Sequence, residues 1–214
     1  MESVRSCPGL VREHRRARAS GIFAAATLGT PALGLAILAP IGLVLFSAAR
    51  SPAVRTLSLT LPLTVLVGIH AGRVLGVFFL ILFDAGRLPP TFALAAGWGD
   101  IAVGIAALPV AWAIQRQLNG WRLLTLVWNI LGFADLVIAV TLGVGSAPNS
   151  PVRFIFESPN SGEVATLPWV LIPAVLVPLY LLSHFAIFAH LASRVAERPE
   201  KRQGGRLAWD SSAR

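Results

Sequence analysis

The amino-acid sequence predicts an all-α protein, a polytopic bundle of about five transmembrane helices. Of its 214 residues, 55% are hydrophobic and 13% are charged, whereas soluble domains carry about 25% charged residues. The mean hydropathy is +0.71. The apolar residues form long runs, and a helix needs a run of about 20 residues to cross a bilayer. We expect one transmembrane domain over residues 21–193, between a basic tail at 1–20 and a basic, disordered tail at 194–214.

Prolines interrupt the first predicted span and follow the second. The span at 21–49 is too long for the apolar part of a signal peptide. We therefore expect a retained helix that Pro31 and Pro40 kink. The span at 57–83 ends in a turn at 84–90, where glycine and two prolines break the helix.

Three further spans are predicted, at residues 91–115, 121–145 and 165–193. The last two are separated by the one long loop, 146–163, which is rich in serine, proline, asparagine and glycine. Such a composition favours a loop because these residues form turns and do not extend a helix.

Lysines and arginines in the loops predict the orientation, because cytoplasmic loops are enriched in both. Arg50, Arg55, Arg116 and Arg122 lie in alternate loops, on the same side as the basic C-terminal tail. We therefore expect a bacterial inner-membrane protein with a cytoplasmic C-terminus and an external 146–163 loop. Five spans would place the arginines of the N-terminal tail outside, against the same rule.

Glycines are expected to let the helices approach closely. In the second span, Gly68, Gly72 and Gly76 recur every four residues and form a smooth stripe. Further glycines in small-residue stripes of the third and fourth spans have the same expected role: Gly97, Gly104 and Gly132.

Charged residues at membrane depth form the main candidate site. At 1.5 Å per residue from the middle of each predicted span, Arg73, Asp100 and Asp135 all lie about 3–4 Å toward the external side. An arginine at the centre of a bilayer costs about 2.5–3.5 kcal/mol. We therefore expect Arg73 to face the two carboxylates, with His70 extending this cluster.

A second polar layer, nearer the cytoplasm, is expected from Asn129, Ser183 and His184. His184 lies about 8 Å to the cytoplasmic side of the middle of its predicted span, whereas His70 lies near the middle of its own. Two axial haem ligands must flank one iron, so this offset argues against a haem held by the two histidines. We expect no cofactor and no metal, and the single Cys7 leaves no thiolate metal site.

Three interpretations of the Arg73 cluster stay open. In the first interpretation it is a structural ion-pair cluster. In the second it lines a path for a solute or a proton. In the third interpretation, Gly97-Trp-Gly-Asp100 resembles the Gly-x-Gly-Asp motif of intramembrane aspartyl proteases, with Asp135 as the second catalytic carboxylate. In those proteases the motif follows its partner aspartate in the chain, whereas here it comes first. Arg73 would also keep both carboxylates ionised, when catalysis needs one protonated.

Several short segments between Leu57 and His190 resemble a family of small, uncharacterised bacterial multi-pass membrane proteins. The segments are Arg73-Val-Leu-Gly76, Leu88-Pro-Pro-Thr-Phe-Ala93, Ala96-Gly-Trp-Gly-Asp100, Trp128-Asn-Ile-Leu-Gly132 with Asp135, and the prolines and histidine Pro173, Pro178 and His184. The resemblance implies the architecture and no chemical activity. Its members often have one more N-terminal span than this chain.

The sequence thus favours a structural or accessory membrane component. A small-solute or proton-coupled transporter is the alternative, and an intramembrane aspartyl protease is the third. The expected partners are the lipid bilayer, anionic headgroups at the basic tails, and a second copy of the chain or another membrane protein. No basic stripe alternates with aromatic residues, so we expect no nucleic acid.

Overall fold

The computed structural model describes residues 29–51 and 60–193. The two predicted basic tails, the start of the predicted first span and residues 52–59 lie outside this part. Within it, every regular element is helical, which confirms the predicted all-α fold class.

Five helices account for most of the described residues. They are α1 (Gly29–Arg50), α2 (Leu63–Asp84), α3 (Pro90–Gln115), α4 (Trp121–Ser146) and α5 (Ile172–Ser193). Helices α2 to α5 are long and apolar enough to cross a membrane, with mean hydropathies between 1.6 and 2.2. Helix α1 has 22 residues and is not one of these four. The four helices indicate a multi-pass membrane protein.

Helix α3 packs against both α2 and α4. One apolar core joins α2, α3, α4 and α5 at the end of the bundle where α3 ends and α4 begins. A second core lies at the opposite end, around Phe79 and Phe92, whose ring centroids are 5.3 Å apart. Helix α1 packs against α4 and α5 through Ile37 and Ile41.

Two helices depart from α-helical geometry over part of their length. In α2, residues Ile69–Gly76 form a 3-10 helix. Glycine is conformationally permissive, so the glycine-rich sequence tolerates this tighter winding. Helix α5 begins with a π-helical turn, Ile172–Leu176. Pro173 lies in this first turn, where a backbone N–H would have no acceptor within the helix, so proline is tolerated there.

The fifth helix begins later than the predicted residue 165. Residues Ser161–Ala165 form a short 3-10 turn, and turns continue to residue 170. Asn160 caps the short turn, because its side-chain Oδ1 accepts a hydrogen bond from the Gly162 N–H at 2.9 Å. This segment therefore belongs to the loop, and the middle of α5 shifts toward the C-terminus.

The loop between α4 and α5 is fastened to the start of α3. Glu157 accepts hydrogen bonds from the hydroxyl and the backbone N–H of Thr91, the latter at 3.2 Å. Glu163 pairs with Arg87 in the turn between α2 and α3. These contacts hold the loop across the end of the bundle that the basic residues predict to be external.

Candidate functional site

The candidate site is built around the buried guanidinium of Arg73, which is 2% exposed. Its Nε donates a hydrogen bond to Asp100 Oδ1 at 2.7 Å. One terminal nitrogen donates to the carbonyl of Gly132 at 2.9 Å, and the other pairs with Asp135 Oδ2. The structure therefore brings Arg73, Asp100 and Asp135 together as one triad, which links α2, α3 and α4.

The helices can approach this closely because glycines lie where they cross. A Cβ at Gly76 would lie 3.2 Å from both Asp100 Oδ2 and the carbonyl oxygen of Gly97. A Cβ at Gly104 would lie 2.8 Å from the backbone nitrogen of Val74. A Cβ at Gly97 would lie 2.8 Å from Leu80 Cγ. These distances are shorter than van der Waals contact, so larger residues would force the helices apart.

Two more predicted glycines face the aromatic side of the site. A Cβ at Gly72 would lie 2.7 Å from the hydroxyl of Tyr180. A Cβ at Gly132 would lie 2.9 Å from Cε1 of His184. Both positions therefore make room for side chains of α5.

Gly68 does not have the predicted packing role. A Cβ there would have nothing within 4 Å. The predicted stripe assumed that α2 is a regular α-helix, in which residues four apart share one face. Because the 3-10 segment begins directly after Gly68, this residue does not share a face with the other two glycines.

Gly99 is a residue of the site that the sequence analysis did not single out. A Cβ on Gly99 would lie 2.6 Å from Cγ of Asp135, so only glycine leaves room for that carboxylate. The available signal was its place directly before Asp100 in the Gly-x-Gly-Asp segment. The two glycines of that segment therefore serve different partners, since Gly97 packs on α2 and Gly99 on α4.

The second polar layer contains all three predicted residues, and also His70. His70 Nε2 lies 2.7 Å from Ser183 Oγ, and His184 Nδ1 lies 2.8 Å from Asn129 Oδ1. The Asn129 amide also donates to the carbonyl oxygen of His184 at 3.2 Å. All four side chains are buried. The layer connects α2 and α4 to α5.

The prediction that His70 extends the Arg73 cluster was wrong. Residues 70 and 73 are one turn apart in a 3-10 helix, which rises about 2.0 Å per residue. His70 therefore lies about 6 Å closer to the N-terminal end of α2 than Arg73 does. At that height its hydrogen-bonding partner is Ser183 rather than an aspartate.

The depth argument that separated His70 from His184 was also wrong. The two ring centroids are 4.3 Å apart. The 8 Å offset assumed that α5 starts at residue 165, whereas it starts at Ile172. The contact itself argues against a shared haem, because two rings that bind one iron from opposite sides cannot touch each other.

Hydrogen bonds fix where the hydrogen lies on each histidine ring. The Ser183 hydroxyl donates to the Tyr180 carbonyl at 2.8 Å, so its oxygen is left to accept from His70 Nε2. Asn129 Oδ1 can only accept, so His184 Nδ1 is the donor there. The other ring nitrogens, His70 Nδ1 and His184 Nε2, are buried without a partner in the described part of the chain. A hydrogen on either would be an unpaired buried donor, so both rings are neutral.

A small cavity lies beside the triad, between α2 and α5. Its volume is about 20 Å³, enough for about one water molecule. The polar residues that line it are Arg73, Asp100 and Tyr180, and its apolar lining includes Ile172 and Leu176. The 3-10 segment of α2 and the π-helical turn of α5 therefore face each other across this cavity.

The geometry bears on the alternatives left open by the sequence. Asp100 and Asp135 bind the same guanidinium on different nitrogens, whereas the two carboxylates of an aspartyl protease lie against each other and share one proton. Across residues 29–51 and 60–193, no three His, Cys, Asp or Glu side chains are grouped so that they could hold a metal.

These features define a class of protein: an all-helical chain with four helices apolar enough to cross a membrane, and a buried charge triad where three of them meet. The chain belongs to the family of the domain of unknown function DUF8737, which matches residues 30–192. This match confirms the predicted membership of an uncharacterised family. The family description assigns no activity. No curated protein and no solved structure matches the chain.

Proposed function

We propose that this protein is a structural or accessory component of the bacterial inner membrane. The single observation that carries the proposal is the set of contacts that Arg73 makes with α3 and α4. Each of its three nitrogens has an acceptor, and the acceptors lie on two different helices. A guanidinium held in this way fixes the packing of α2, α3 and α4.

The second polar layer supports the same proposal. Ser183 and His184 on α5 bind His70 on α2 and Asn129 on α4. Polar contacts between helices hold membrane bundles together, since lipid gives helices no hydrophobic reason to associate. The buried polar residues thus make a rigid framework, and the expected partner is a second copy of this chain or another membrane protein.

Co-purification tests the proposal. The protein is extracted in a mild detergent together with whatever it binds. The molar mass of the purified complex is measured by light scattering, and its protein components are then identified. We expect a stoichiometric complex that survives in the Arg73→Leu, Asp100→Asn, Asp135→Asn triple variant, because an uncharged core can still hold the fold. A wild-type protein that elutes as a lone monomer would contradict an accessory role.

A proton-coupled carrier of a small solute is the second candidate function. The observation that favours it is the cavity, because it gives Asp100 contact with a space of about one water molecule. A carrier would accumulate a solute in vesicles, and Asp100→Asn would abolish the accumulation without unfolding the protein.

The proposed orientation places the C-terminal tail in the cytoplasm and the loop between α4 and α5 outside. The basic residues of the loops support this arrangement. Anionic lipid headgroups are then the proposed partners of the basic C-terminal tail.

A further inference from the structure

The charges of the triad do not balance when both carboxylates are ionised. Arg73 contributes one positive charge, and Asp100 and Asp135 contribute two negative charges. In helices α2 to α5 the other charged residues, Asp84 and Arg122, lie at helix ends. One negative charge would therefore remain uncompensated near the middle of the bundle, which is a costly state in a medium of low dielectric constant.

The titratable neighbours on α2 and α5 do not supply the missing positive charge. The hydrogen bonds of His70 and His184 fit neutral rings, because each ring has one donor nitrogen in use and one buried nitrogen without a partner. Tyr180 lines the cavity with Asp100, but its phenol hydroxyl cannot carry a positive charge. The remaining way to balance the triad is a proton on one of its carboxylates.

We propose that Asp100 binds one exchangeable proton, which it receives from water in the cavity. A hydronium ion transfers its proton to Asp100 Oδ2, which leaves a neutral carboxyl group and one water molecule. Asp100 Oδ1 continues to accept the hydrogen bond from Arg73 Nε, so the contact between α2 and α3 is kept. Arg73 and Asp135 then form a balanced pair.

The geometry favours Asp100 over Asp135 as the site of the proton. Asp100 lines the cavity, and its Oδ2 has no protein partner in the described part of the chain. Asp135 does not line the cavity, and its carboxylate lies against Gly99. The Asp135 side chain is also more exposed than that of Asp100, at 20% against 12%, so its charge is less costly to keep.

Proton binding gives the cavity a defined use. Water that enters between α2 and α5 reaches Asp100 where Tyr180 places a hydroxyl in the same space. This inference deepens the second candidate function, because it identifies the coupling residue. It does not need transport to be detected, so it can hold or fail separately from both candidate functions.

Infrared spectroscopy tests the inference on the full-length protein in lipid vesicles. Carboxyl-labelled aspartate identifies the C=O band of a protonated aspartate, which is counted per chain at neutral pH. We expect one protonated aspartate in the wild type, two in Arg73→Leu, and none in Asp100→Asn or Asp135→Asn. The matched control is Asp84→Asn, at the exposed end of α2, which should leave the count at one. A wild-type count of zero would overturn the proposal.

A second variant assigns the proton to one aspartate without removing a charge. Tyr180→Phe deletes only the hydroxyl that shares the cavity with Asp100. The count should stay at one, and the C=O frequency should shift, because the substitution removes a polar group from the cavity that the carboxyl group lines. An unchanged frequency would place the proton on Asp135 and refute the assignment. The wild-type and Tyr180→Phe measurements suffice even where a charge variant fails to fold.

Discussion

Removing Arg73 alone should destabilise the protein more than removing the whole triad. Arg73→Leu leaves Asp100 and Asp135 without their shared cation, and breaking a buried ion pair from one side costs about 3–5 kcal/mol. The triple variant with Asp100→Asn and Asp135→Asn leaves no uncompensated charge. Replacing a whole buried ion cluster with uncharged residues is often neutral or stabilising, so we expect the triple variant to recover most of the loss.

The assay is reversible unfolding in mixed micelles, followed by tryptophan fluorescence and circular dichroism. The matched control is Arg87→Leu, which removes a partly exposed ion pair with Glu163. That change should cost about 0–1 kcal/mol. The two aspartate substitutions are also measured singly, each as a loss in the free energy of unfolding. The reasoning would be refuted if the triple variant were less stable than Arg73→Leu by the sum of these two losses. Such additivity would mean that the three charges do not interact.

Further predictions concern packing, geometry and orientation. Gly99→Ala should lower the free energy of unfolding by about 1–3 kcal/mol, because its Cβ would meet the carboxylate of Asp135. Gly68→Ala should change stability little, since a Cβ there has nothing within 4 Å. The same unfolding assay compares the two variants, and equal losses would contradict the steric argument. Cysteines that replace Arg73 and Asp135 should be joined by a bifunctional thiol reagent about as long as the missing arginine side chain, because a disulfide bridges only Cα atoms within about 7 Å. A folded variant that is not joined would place the two residues apart. Reporter fusions after Arg206 and within the loop between α4 and α5 should give a cytoplasmic tail and an external loop; phosphatase activity at the tail fusion would reverse this orientation.

The sequence was informative for the charged triad and for the helices that carry it. Arg73, Asp100 and Asp135 were predicted to share one layer from the constant rise of an α-helix, and the structure places their side chains in contact. A charge buried among apolar residues needs a partner, and few partners were available at that depth. Length and composition predicted the helices themselves, since a long apolar segment must satisfy its backbone internally.

Irregular backbone limited the rest of the prediction. Glycine permits both 3-10 and α-helical winding, so the sequence could not show that α2 changes its pitch at Ile69. A proline in the first turn of a helix does not determine how that turn is wound, so the π-helical turn of α5 and its start at Ile172 were not predictable. These two departures determine the height of His70 and of His184. For that reason the contact between the two histidines was missed.

The eight residues of 3-10 helix in α2 also alter how this helix fits the bilayer. A 3-10 helix rises about 2.0 Å per residue, against 1.5 Å for an α-helix. Over Ile69–Gly76 the difference makes α2 about 4 Å longer than an α-helix of the same 22 residues. A helix of excess length tilts or thickens the surrounding bilayer. The strength with which the triad holds the 3-10 segment should thus set the membrane thickness that this protein prefers.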